Sequence, residues 1–185
     1  AATLVADFEG DCTIAYYLAL PSSVATVLAS YIAHWLIISI SMSLALIPLG
    51  KLMLWDQFNL MNIAWFKFLI FLVAINLVWA TLAFVLAAYL SSIEKLGVAW
   101  CRVIFPLWFL GGFQFSWMTT YAVAPTLAYV MLFNPVIYAT DGIRAVILGQ
   151  DGYLPFWICL MIMIALCGII GWWSVKALRQ RLDFV

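Results

Sequence analysis

The sequence predicts an all-α membrane protein: a polytopic bundle of four transmembrane helices, a cytoplasmic interfacial helix ahead of them, and an outer re-entrant helical hairpin. Three observations predict it. Hydrophobic residues make up 68% of the 185-residue chain and charged residues only 9%, with a mean hydropathy of +1.15. A soluble domain is roughly 45–50% apolar and about 25% charged, and a fold of this size cannot hide so much apolar side chain from water. The apolar residues also fall into four runs near the ~20 residues that cross ~30 Å of hydrocarbon. Finally, turn residues and the few charges gather between those runs, so residues 1–185 read as a single transmembrane domain.

The first element is the segment "DFEGDCTIAYYLALPSS" (7–23). Its helix, within 7–22, is too short to span. Asp11 can cap it by accepting from free backbone N–H groups, Ile14, Tyr17 and Leu18 give apolar residues at helical spacing, and Pro21 ends it. Such a helix either rests on lipid or docks a protein partner. The absence of Lys and Arg from residues 1–50 favours docking.

The spans follow at about 24–49, 63–90, 98–117 and 154–175. "PLGKLMLWDQFN" (48–59) and "SSIEKLG" (91–97) separate the first three. The third contains Pro106, Gly111 and Gly112, which predict a kink or break. After the fourth, Lys176, Arg179 and Arg181 place the C-terminus in the cytoplasm by the positive-inside rule. Counting back puts 118–153 and 50–61 outside, and 91–97 and the N-terminal segment inside. Trp55, Trp65, Trp117, Tyr121, Tyr153 and Trp157 then form the outer aromatic belt, with Trp100 and Trp172 or Trp173 at the inner one.

Between the third and fourth spans lies a segment too long for a simple loop and too apolar for water. Thr126–Leu132 predicts one short helix. Asn134-Pro135 breaks it, since Pro lacks an N–H and restricts the residue before it, and the same pair starts a second helix over Val136–Leu148, closed by Gly149. Two short apolar helices with a break describe a re-entrant hairpin (126–149), tolerated where protein or water satisfies the backbone. Asp141 and Arg144, three residues apart, can meet. They are either a structural staple or a direct contact to cargo.

Polar groups at membrane depth are candidate functional residues. His34 in the first span either relays protons or meets cargo, or is neutral and bonded to a neighbouring helix. Asn76 in the second is either part of a pathway or a helix–helix hydrogen bond. The four cysteines, Cys12, Cys101, Cys159 and Cys167, have no metal-like spacing and read as packing residues. No metal site and no catalytic group is expected. An intramembrane protease would need a Ser turn with a partner His, or H-E-x-x-H, and the sequence has neither. Zero net charge gives no reason to expect nucleic acid.

This order of elements resembles the membrane subunit of type-2 ABC transporters, the family of polysaccharide and multidrug exporters. The resemblance rests on "FLGG" in the third span and on Asn134, Pro135, Tyr138, Asp141, Arg144, Leu148 and Gly149 in the outer hairpin. It also rests on Glu9, Gly10, Leu18 and Pro21 in a segment similar to the coupling helix. Asp141 stands where the family usually has Glu, and the familiar basic residue of the coupling segment is absent. The resemblance implies a permease with no ATPase activity of its own, driven by a cognate ATPase that docks on Glu9, Gly10, Leu18 and Pro21. It implies a second permease copy that completes the pathway, a surround of membrane lipid, and the bacterial inner membrane as location. ATP and Mg²⁺ would be cofactors of the partner ATPase, since no G-x-x-x-x-G-K-[ST] occurs here. The family usually has six spans, so the chain is expected to be the C-terminal portion of a longer permease or a genuine truncation. A non-transporting membrane scaffold or assembly protein is the alternative.

Overall fold

The computed structural model describes residues 24–54, 60–90 and 92–182. The expected coupling-type helix at 7–22, with Glu9, Gly10, Leu18 and Pro21, lies outside them. Among the described residues the secondary structure is helical and contains no strand.

Among the described residues, three helices are long and apolar enough to cross a membrane: α1 (Val24–Leu54), α2 (Trp65–Tyr89) and α8 (Phe156–Leu182). None shows a polar stripe, as expected of helices solvated by lipid or by one another. α1 overruns the expected end at 49. Pro48 lacks the N–H that would meet the Leu44 carbonyl, yet the helix continues on both sides to Leu54. α2 and α8 form the central pair. On these two helices Thr81, Ala87, Cys159 and Ser174 are small or compact, and all are buried. Small residues let two backbones approach where lipid supplies no hydrophobic drive. Of the two glycines along α8, Gly171 faces Thr81, and Gly168 faces open space. Aromatic contacts close both ends: Phe71 against Phe156, centroids 5.5 Å apart, and Tyr89 against Trp173, 5.9 Å apart.

The third apolar run is not one straight helix over 98–117. It is helical from α3 (Ile93–Ala99), started by Ser92 accepting from Lys95 N–H, through a π-helical turn at Trp100–Ile104 into α4 (Phe105–Phe109). It then opens into an irregular stretch at 110–116. The π turn needs i→i+5 bonds, for which the sequence carries no simple signal. Gly112, at φ +77°, adopts a backbone conformation that suits glycine.

The chain resumes as α5 (Trp117–Val123), α6 (Pro125–Met131) and α7 (Pro135–Ile147). α6 and α7 are bent by 99° across the intervening break. Both begin at a proline, where the missing N–H costs no helical bond. Asn134 caps α7 by accepting from Val136 N–H at 3.0 Å, and Gly149 follows the helix at φ +109°. α7 is the amphipathic element of the fold. Val136, Ile137, Ala139, Ala145 and Val146 are buried, and the helix lies against the first half of α2 and the start of α8. The Val146 carbonyl accepts from Ala64 N–H at 3.3 Å, which fixes the end of α7 beside the start of α2. Gly142 makes the approach possible: a Cβ there would run into the Phe71 ring and meet the Cβ of Cys159 at 3.0 Å. Gln150 closes the connection to α8 by accepting from Phe156 N–H at 3.1 Å and donating to the Leu154 carbonyl at 2.9 Å.

Candidate functional site

Five backbone groups of the broken third run face α7, and four α7 side chains meet them. Asn134, at the N-cap, donates to the Leu107 carbonyl at 2.5 Å. Thr140 donates to the Gly111 carbonyl at 2.6 Å. Arg144 spreads its guanidinium over two carbonyls, Gly112 at 2.5 Å and Phe113 at 2.6 Å. Asp141 accepts from Trp117 N–H at 3.0 Å. A helix that stops leaves its last carbonyls without partners, and one that starts leaves its first N–H groups without partners. Here α4 stops and α5 starts within a few residues, and α7 supplies partners to both ends.

The packing is equally close. A Cβ at Gly111 would collide with Val136, and one at Gly112 with Ile137. Asp141 is fully buried and Arg144 is 24% exposed, with their nearest atoms 3.5 Å apart. The pair therefore exists as expected, but its shorter contacts run to backbone. Asp141 and Arg144 are bound into the fold rather than presented to a ligand. Among the described buried side chains, no polar atom lacks a hydrogen-bond partner. Tyr138 donates to the Leu132 carbonyl at 2.9 Å, and the Trp117 indole donates to the Ala128 carbonyl at 2.9 Å. Both tie α6 to the same assembly.

The two mid-span candidates stand apart from it. Asn76 donates to the Leu72 carbonyl of its own helix at 2.8 Å and lines a hollow between α1 and α2 with Trp35, Ser39 and Trp79. That is the intrahelical bond open to a short polar side chain, not a bridge between helices. His34 is exposed and lines a separate hollow with Val27, Ser30 and Tyr31. The two do not converge on one site.

The largest concavity among those described holds about 420 Å³ and lies between α1, α2 and α7. Its walls are apolar, with Leu46, Phe68, Leu72, Trp79, Trp108 and Ile143 among them; Ser43 and Thr140 add hydroxyls. Thr140 and Gly142 were not singled out from the sequence. A glycine midway along a helix that carries its apolar face at helical spacing signals a close approach, and was the available clue for Gly142. Thr140 had no comparable mark. No group of three or more His, Cys, Asp or Glu among the described residues can hold a metal ion.

Comparison with protein-family models, with curated proteins and with solved structures finds no match to this chain.

Proposed function

We propose that the chain is the membrane-spanning permease subunit of an ATP-binding cassette exporter, working as a dimer and driven by a separate ATPase that carries the ATP and Mg²⁺. The observation that carries this reading is the polar face of α7. Irregular backbone persists at membrane depth only where protein or a water-filled cavity satisfies it. Asn134, Thr140, Asp141 and Arg144 satisfy five backbone groups between 107 and 117 beside the first half of α2. The helical run that begins at Ile93 then enters from the cytoplasmic side, breaks in the outer half of the membrane and leaves through α5. α6 and α7 form a re-entrant hairpin from the outer face. With α1, α2 and α8 this gives four crossings and a cytoplasmic C-terminus, in a bacterial inner membrane.

In this mechanism α7, the pinned turn and the α2–α8 pair move as one body. α1 is the element free to rock against them, since no residue of its most apolar stretch is buried. ATP-driven closure of a partner docked on 7–22 moves α1 and opens the 420 Å³ groove toward the outer face. The groove's apolar walls suit a lipidic or amphipathic cargo. Arg144 and Asp141 act as the staple of the gate.

The test is purification of the chain from its native membranes in mild detergent, with co-purifying proteins identified by mass spectrometry. A P-loop ATPase in comparable amount is the expected result. Its absence even after crosslinking would favour the scaffold or assembly reading.

A further inference from the structure

At the end of the α2–α8 pair away from α7, Tyr89, Ile169, Trp172, Trp173 and Lys176 line a hollow of about 370 Å³. Its position along α8 is defined. From Phe156 to Lys176 the helix rises about 30 Å at ~1.5 Å per residue, the thickness of a hydrocarbon core. Lys67, whose ammonium lies 5.6 Å from the Phe156 ring centre, marks the opposite membrane boundary.

The chemistry of the hollow is one-sided. Trp173 donates its indole N–H to the Tyr89 hydroxyl at 3.1 Å, which leaves the tyrosine proton to be donated elsewhere. Lys176 adds a positive charge and three N–H donors, and Trp172 adds an indole N–H. Among the described residues no carboxylate lines the site. A cation with neutral donors and no acid is the complement of an anion. The remaining wall is apolar and open, with Ile169 64% and Trp172 71% exposed, so the anion that fits carries a hydrocarbon tail. A quaternary ammonium would seek an aromatic face, but the Trp172 face is already taken by the Lys176 ammonium, 5.6 Å from the ring centre.

We propose that this hollow binds the headgroup of an anionic phospholipid. The phosphate meets Lys176, Tyr89 and the Trp172 indole, and an acyl chain runs along Ile169. The site needs only a membrane boundary at Lys176 and does not depend on the permease reading.

The experiment is native mass spectrometry of the full chain in detergent, with phosphatidylglycerol and phosphatidylcholine of matched acyl chains supplied in equal amount. The chain should retain phosphatidylglycerol preferentially. Lys176→Gln should cut that retention about fivefold, the worth of one basic residue at an anionic surface, and Tyr89→Phe should reduce it as well. Lys67→Gln should leave it unchanged. Equal retention of the two lipids by the unsubstituted chain would overturn the proposal. So would an unchanged preference in both Lys176→Gln and Tyr89→Phe, an equal loss in Lys67→Gln, or displacement by inorganic phosphate alone, which would assign the hollow to a free anion.

Discussion

Replacing Arg144 with Ala removes two charge-assisted bonds, to the carbonyls of Gly112 at 2.5 Å and Phe113 at 2.6 Å, and leaves the fully buried Asp141 without its cation. Hydrogen bonds to charged groups contribute about 1.5–3 kcal/mol each. Breaking a buried ion pair from one side costs about 3–5 kcal/mol. These figures overlap rather than add, because the same guanidinium serves both roles. A loss of about 3–5 kcal/mol is therefore expected, a large part of a total stability of ~5–15 kcal/mol. The assay is reversible unfolding in mixed micelles with increasing SDS, followed by the fluorescence of the ten tryptophans. Arg144→Lys should recover only part of the loss, since an ammonium lacks the planar fork that spans two carbonyls. Asp141→Ala combined with Arg144→Ala should cost less than the sum of the singles by about 1–3 kcal/mol, because neither charge is then left stranded. A single Arg144→Ala change within 0.5 kcal/mol of the unsubstituted chain, or strict additivity of the pair, would refute the staple.

Asn134→Ala should cost about 2–4 kcal/mol in the same assay: about 1 for the lost cap on Val136 N–H and the rest for the stranded Leu107 carbonyl. Gly142→Ala should cost about 1–3 kcal/mol, because the added methyl meets the Phe71 ring and Cys159 in a packed seam. Gly168→Ala provides the contrast. With nothing within 4 Å of the new methyl, it should be neutral or stabilise by up to about 1 kcal/mol through helix propensity. Equal effects at Gly142 and Gly168 would show that α7 is not seated on α2 and α8 as described.

The boundaries of α7 were legible because local chemistry sets them. Asn134-Pro135 can cap and start a helix but not continue one, and the glycine at 149 tolerates the positive φ that ends it. The spans α2 and α8 were legible from apolar length alone. The third run was harder. Pro106, Gly111 and Gly112 announced a break, but the π turn at Trp100–Ile104 has no local signature. Whether 98–117 crosses as one helix depends on partners far along the chain. The same limit applied to the site. Asp141 and Arg144 were visible as a pair three residues apart, while their shorter contacts go to backbone groups 24 to 32 residues away, a distance that periodicity does not reach. For Asn76 the sequence suggested a partner on another helix, and its own backbone supplied one at closer range.

The topology proposed above has the chain cross the membrane between Ile93 and Val123, with α6 and α7 entering from the outer face. The alternative keeps 93–123 on the cytoplasmic side and lets the bent α6–α7 pair make the crossing. The two differ in where α5 ends. A cysteine at the exposed Ala122 position (Ala122→Cys), treated in intact cells with a membrane-impermeant maleimide against the unsubstituted chain as background, separates them directly. Labelling from outside the intact cell is the predicted result, and labelling only after permeabilisation would contradict it.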